Sequence, residues 1–163
     1  SEKNQQIQSV DTTASILEET FQSEDKILPI DLTPKEQYEF ATSFLKVGDY
    51  STAERAFREF VLSNPDDELA GSAQFWYAET FRIRQLYTDA AEAYLEGYQK
   101  YPKGKKAPDN LLRLGVSMVQ IGQKDQGCKM INGVSIQYPN AEKSVLLKAE
   151  YESKKFECVK QDS

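Results

Sequence analysis

Apolar residues recur along this chain at helical spacing, and the spacing itself returns every 37 residues. Between residues 71 and 104, Tyr77, Ala78 and Phe81 share one helical face, Ala90, Tyr94 and Tyr98 share a second, and Pro102 follows the end. Shifting by 37 in either direction finds the same kinds of residue. Ala53, Ala90 and Gly127 form one series; Phe57, Tyr94 and Ile131 a second; Pro65, Pro102 and Pro139 a third. Phe40, Tyr77 and Leu114, then Ala41, Ala78 and Gly115, then Phe44, Phe81 and Met118 keep the same step. Six coincident series at one period of this length are the signature of a stacked repeat.

The pattern predicts three helix pairs. The first pair spans 34–47 and 51–64, the second 70–84 and 88–100, the third 108–121 and 124–137. Thr33-Pro34 opens the first helix, with Thr as cap and Pro at a position whose N–H has no helical partner. Ser51, with Glu54 three residues on, reads as a capping box, and Thr88 as the cap of the fourth helix. A last amphipathic stretch, 141–158, carries Val145, Leu146, Ala149 and Phe156 and reads as the helix that covers the open end of the stack. The expected fold is all-α: a right-handed α-solenoid of three helix pairs closed by a C-terminal capping helix. Residues 1–33 are polar, with one aromatic, Phe21, and read as a linker or tail. The alternative is a short helix near 15–22 docking on a neighbour.

Composition narrows the function. A chain of 163 residues suggests one domain. Its net charge of -6 argues against nonspecific nucleic-acid binding, which needs clustered Lys and Arg. No apolar run approaches the roughly 20 residues that span a bilayer, and no signal peptide is visible. There is no histidine, which removes the usual general base near neutral pH and the commonest zinc ligand. No nucleophile motif or glycine-rich phosphate loop stands out, and no cofactor is implied. The two cysteines, Cys128 and Cys158, are either one disulfide or two free thiols. Asp66-Asp67-Glu68 lacks the glycine-punctuated loop of a calcium site and reads as a solvated turn. Lys103, Lys105 and Lys106 read as a solvated loop, with an acidic partner as the alternative. Trp76 reads as core, its indole N–H reaching a backbone carbonyl.

Small residue, aromatic, small residue, aromatic, then proline at these offsets resembles the tetratricopeptide repeat. Three 34-residue units fit 34–67, 71–104 and 108–141, with three extra residues between them. A narrower resemblance lies in AQFWYAE at 73–79 and in YPKGKKAPDNLLRLGVSMVQIGQ at 101–123. These are similar to the C-terminal domain of the YbgF/CpoB family, the periplasmic cell-division coordinators of the Tol-Pal system. The resemblance covers about 34–158. It implies export to the periplasm of a Gram-negative bacterium and binding of TolA, with a peptidoglycan synthase as a further partner. It also implies coupling of outer-membrane constriction to peptidoglycan synthesis. Members carry an N-terminal trimerising coiled coil and a polar linker. No sustained heptads occur here, so residues 1–33 are expected to be that linker and self-association is left open. Cys128 and Cys158 look like the cysteine pair of some members, so the resemblance implies a disulfide, worth about 3 kcal/mol.

In such a solenoid the first helix of each pair lines a concave face. Counting positions 2, 5, 9, 12 and 13 of each repeat gives Lys35, Tyr38, Thr42, Leu45 and Lys46. The second repeat gives Ser72, Phe75, Glu79, Arg82 and Ile83, and the third gives Asp109, Leu112, Val116, Val119 and Gln120. Tyr38, Phe75 and Leu112 would then be an exposed apolar strip rimmed by charge, suited to a peptide or helix. The alternative is that some of these pack on the N-terminal segment or on neighbouring helices. The groove lacks the Lys/Asn pattern of chaperone-binding repeats. Competing functions are an outer-membrane assembly scaffold of the BamD type, which has more repeats and an early lipidated cysteine, and the repeat domain of a cell-wall enzyme. No acidic pair is singled out for the latter's chemistry.

Overall fold

The computed structural model describes residues 26–159. Among them are seven helices and no strand: α1 Pro34–Lys46, α2 Tyr50–Ser63, α3 Ala70–Ile83, α4 Tyr87–Lys100, α5 Ala107–Gln120, α6 Lys124–Gln137 and α7 Lys143–Lys155. Each helix packs on the next, and α3–α5 and α5–α7 also touch. This contact order defines a stack of antiparallel pairs, an all-α solenoid, with the first helices of successive pairs side by side. The helix expected near 15–22 lies outside the described residues.

The 37-residue period is also a backbone period. Within each pair the first helix ends in a Schellman motif. The N–H groups of Asp49, Leu86 and Gln123 donate to the carbonyls of Phe44, Phe81 and Met118 at 2.9, 2.9 and 2.8 Å. The residues before them, Gly48, Gln85 and Gly122, take positive φ of 76°, 63° and 89°. Glycine adopts that conformation without a Cβ clash; Gln85 does not. The tight turn starts the second helix at once, at Tyr50 and Tyr87, so Ser51 and Thr88 lie inside the first turn and cap nothing. The cap of α2 is Asp49, whose Oδ1 accepts from the Thr52 N–H at 3.2 Å, while Leu86 leaves α4 without a side-chain cap. The predicted Thr33 cap is present, with Glu36 completing a reciprocal capping box.

The core runs as three consecutive clusters. Ala41, Ala53, Phe57 and Phe60 centre the first; Ala78, Ala90 and Tyr94 the second; Leu111, Ile131, Val134 and Val145 the third. Small residues sit where paired helices approach. In the third pair both are glycine, and a Cβ on Gly127 would lie 2.6 Å from the Gly115 carbonyl oxygen. Two tyrosines tie successive repeats at the opposite edge: Tyr101 donates to the Pro65 carbonyl and Tyr138 to the Pro102 carbonyl, each at 2.9 Å.

Both ends of the stack are covered. α7 buries Val145, Ala149 and Ser153 against the third cluster, as a capping helix should. It ends in the same Schellman pattern, with Glu157 at φ 53° and the Cys158 N–H on the Ser153 carbonyl at 2.8 Å. That turn brings Cys158 back to α6, where it forms the disulfide with Cys128, Cα–Cα 5.4 Å. At the other end, residues 26–33 are not simply linker. Leu28 joins the first core cluster, and Glu59 Oε2 accepts the Ile27 and Leu28 N–H groups at 2.8 and 2.9 Å. One period later Glu96 faces Arg58 of the preceding pair. Glu59 thus holds the 27–28 segment at the position where, one period later, Glu96 holds Arg58.

Candidate functional site

The face built by α1, α3 and α5 carries most of the expected groove residues, but its apolar strip is closed. Phe75 and Leu112 are buried, 5% and 3% exposed, and Tyr38 is half-buried. The reason is packing both within each pair and onto neighbouring helices. Tyr38 sets its ring edge-on to Phe57 and Phe60 at 5.8 and 6.0 Å and turns its hydroxyl to Trp76 of α3. Burial raises its pKa. The Trp76 indole thus faces a tyrosine hydroxyl and not the expected carbonyl. Phe75 meets Trp76 and Tyr94, and the Lys106 ammonium lies 5.0 Å from the Phe75 ring centroid and 5.9 Å from that of Trp76. Lys106 is therefore a lid on the aromatic pair rather than part of a solvated loop.

The polar members do converge. Glu79, only 4% exposed, is the hub. Its Oε1 accepts from the Tyr94 hydroxyl at 2.5 Å and from Arg82 Nε at 3.0 Å; its Oε2 takes Arg82 Nη2 at 2.5 Å. Arg113, from α5, places Nε 3.5 Å from the same Oε1. Burial would raise the Glu79 pKa, but the hydrogen bonds from Arg82 and Tyr94 and the charges of Arg82 and Arg113 outweigh it and hold the carboxyl below its ordinary value. Burial and the adjacent carboxylate push the Tyr94 phenol up, so it stays protonated and donates. The Glu79 hydrogen bonds raise Arg82 further.

Around this hub the remaining candidates are spread along the face. Lys35, Lys46 and Gln120 are exposed, as is Ile83. Thr42 folds its hydroxyl onto the Tyr38 carbonyl at 2.8 Å, Ser72 is half-buried, and Leu45, Val116 and Val119 pack against the core clusters. Asp109 is half-buried near Lys106 and Arg113; burial raises its pKa more than those cations lower it. Glu39 shares the register of Trp76 and Arg113. The face then holds five cations (Lys35, Lys46, Arg82, Lys106 and Arg113) against three carboxylates (Glu39, Glu79 and Asp109), in a chain whose net charge is -6. Arg113 lies outside the counted positions and was missed; Lys106 lies outside them too, although its charge reads as suited to an acidic partner. The one local hint was the 37-residue step from Trp76 to Arg113.

Lys106 and Asp109 also line a cleft of about 640 Å³ between the 102–108 turn and the start of α7, floored by Tyr138 and Val145 and edged by Lys103, Lys105, Glu142 and Lys148. Asp67 Oδ1 caps the Leu69 N–H at 2.8 Å, so the acidic run at 66–68 is a hydrogen-bonded turn. Among the described residues no three His, Cys, Asp or Glu side chains converge on a metal position, and no helix is long and apolar enough to cross a membrane.

This is a helical-repeat scaffold whose charged, aromatic-backed face is made jointly by several repeats. Two family models, both described as tetratricopeptide repeat, match residues 38–105 and 109–141, together more than half of the chain. The chain belongs to the tetratricopeptide-repeat family, whose domains serve as protein–protein interaction modules. No curated protein matches it as a relative.

Proposed function

We propose that this protein is a non-catalytic adaptor of the periplasm, of the YbgF/CpoB type. In this reading it binds a TolA-like protein, and through it couples outer-membrane constriction to peptidoglycan synthesis during division. The observation that carries an interaction role is the continuous face of α1, α3 and α5. The side chains that ornament it, from Tyr38 to Arg113, bridge repeats instead of converging on a reaction centre. The Tol-Pal assignment rests on the resemblance of residues 101–123. Two features are compatible with it: Pro102, Lys103, Lys106, Pro108 and Asp109 of that run all border the cleft beside the face, and the Cys128–Cys158 disulfide suits an oxidising compartment.

The test is titration calorimetry of this chain against the purified periplasmic region of TolA, with the bound surface mapped by amide chemical shifts. The reading expects micromolar or tighter binding and shifts centred on Lys35, Thr42, Arg82, Arg113 and Gln120. No binding would refute the Tol-Pal role. Binding with shifts confined to α2, α4 and α6 would refute the site.

A further inference from the structure

Resting on the adaptor reading, we infer that the face of α1, α3 and α5 selects an acidic segment of its partner, and that one carboxylate of that segment docks on the paired guanidinium groups of Arg82 and Arg113. The pair is assembled before any ligand arrives. Glu79 gathers both arginines from two different helices, while its own oxygens are filled by Arg82, Arg113 and the Tyr94 hydroxyl. A guanidinium carries five N–H donors. Arg82 spends two on Glu79 and Arg113 brings one within ion-pair distance, so most of their donors remain for an incoming acceptor. Their side chains are 30% and 23% exposed, whereas that of Glu79 is 5% exposed. A partner on this face therefore meets the arginines and not the carboxylate.

With Lys106 and the half-buried Asp109 beside it, the hub sets three cations against two carboxylates, a net +1 held on a partly desolvated surface, where an ion pair counts for more than in open water. Planar, bidentate recognition of a carboxylate is what a fixed guanidinium does best. Lys106, held over Phe75 and Trp76, extends the positive charge toward the 102–108 turn, where Lys103 and Lys105 continue it. Glu79 is buried and already paired, so it is not offered to a basic partner, and Asp109, the carboxylate nearest Arg113 and Lys106, is itself half-buried.

The probe is a 16-residue amphipathic peptide with leucine on one face and glutamate on the other, compared with its glutamine-for-glutamate version by fluorescence anisotropy at low and high salt. The Glu peptide should bind at least tenfold tighter than the Gln peptide, with the difference shrinking as salt rises. Arg113→Gln should weaken Glu-peptide binding about tenfold and leave the Gln peptide unaffected. Arg82 and Tyr94 keep Glu79 satisfied in this variant, and circular dichroism verifies its fold. Lys106→Gln serves as a second, independent variant, with a loss of about threefold expected. Equal affinity for the two peptides, or full Glu-peptide affinity in both variants, would overturn the inference. The same variants titrated with the TolA region separate the two readings. TolA binding at this face that ignores both variants removes the acidic selection and leaves the adaptor. Charge-selective peptide binding without TolA binding does the reverse.

Discussion

Gly127 lies where α5 and α6 cross most closely, and replacing it with alanine sets two effects of similar size against each other. Alanine is the better helix former by about 1 kcal/mol. Its Cβ, however, would stand 2.6 Å from the Gly115 carbonyl oxygen, 2.6 Å from Val119 Cγ2 and 2.9 Å from the Val119 amide nitrogen. Two of the three are backbone atoms of the facing helix, so no flexible side chain can swing away. Relief requires the helices to part by about half an ångström. A gap of that order forfeits a quarter or more of each dispersion contact across the interface. Leu111, Leu114, Ile131 and Val134 all lie in that region, and overpacking of this kind costs about 1–3 kcal/mol or more. The steric term therefore wins, for a net loss of about 1–2 kcal/mol and a Tm lower by about 3–10 °C in a domain of this size. Gly133 is the matched control on the same helix. A Cβ there meets only Gln137 Nε2, at 3.8 Å, so Gly133→Ala should gain most of the helix-propensity term and raise Tm. Thermal and urea unfolding followed by circular dichroism measures both. If Gly127→Ala is as stable as Gly133→Ala, the close approach of α5 and α6 is not what the two glycines support.

Further outcomes follow from the same structure. Gln85→Gly should stabilise by about 0.5–1 kcal/mol in urea unfolding, because Gln85 stands at φ 63° where the equivalent turns use Gly48 and Gly122. Reducing Cys128–Cys158, or Cys158→Ser, should cost about 3–4 kcal/mol for a separation of 30 residues, with faster hydrogen exchange concentrated in α7 and the end of α6. Uniform loss of protection along the chain would contradict that localisation. Glu79→Gln should destabilise by about 1–3 kcal/mol at pH 7, leaving the arginines short of their partner. Since the Glu79 pKa is depressed in the folded state, its stabilisation is full above the ordinary value of 4.5 and is lost as pH falls through the lower folded value. The gap between wild type and variant should therefore close in acid. Asp109 carries the opposite sign: its raised pKa means the folded state binds that proton more readily, so Asp109→Asn should be no less stable than wild type at pH 7, and relatively less favourable in acid. Unfolding curves between pH 3 and 7 test both.

Much of the fold is local information and was legible in the sequence. The 37-residue step, the proline after each second helix and the small residues at positions 41, 53, 78, 90, 115 and 127 report helix–helix contact inside one repeat. That contact depends only on nearby residues with 3.6-residue periodicity. Helix limits came within one or two residues for the same reason, except the end of α7, expected at 158 and found at Lys155. The errors arose where the backbone turn, not the side chain, set the start: a left-handed residue at 48 and 85 begins α2 and α4 one residue earlier than Ser51 and Thr88 suggested. What the sequence could not decide is how closely neighbouring repeats lean together. Packing within and between pairs buried Phe75 and Leu112, and the lateral contact turned Tyr38 onto Trp76 and set Lys106 over two rings. It also delivered Arg113 to Glu79 across 34 residues of chain. The strap at Ile27–Leu28 was equally hidden, since the short apolar run Ile27-Leu28-Pro29-Ile30 shows no helical periodicity and is held by the distant Glu59. Periodic pattern specifies the repeat because its contacts are short in sequence. The face presented to a partner is made between repeats, where side-chain reach and helix tilt in three dimensions choose which residues meet.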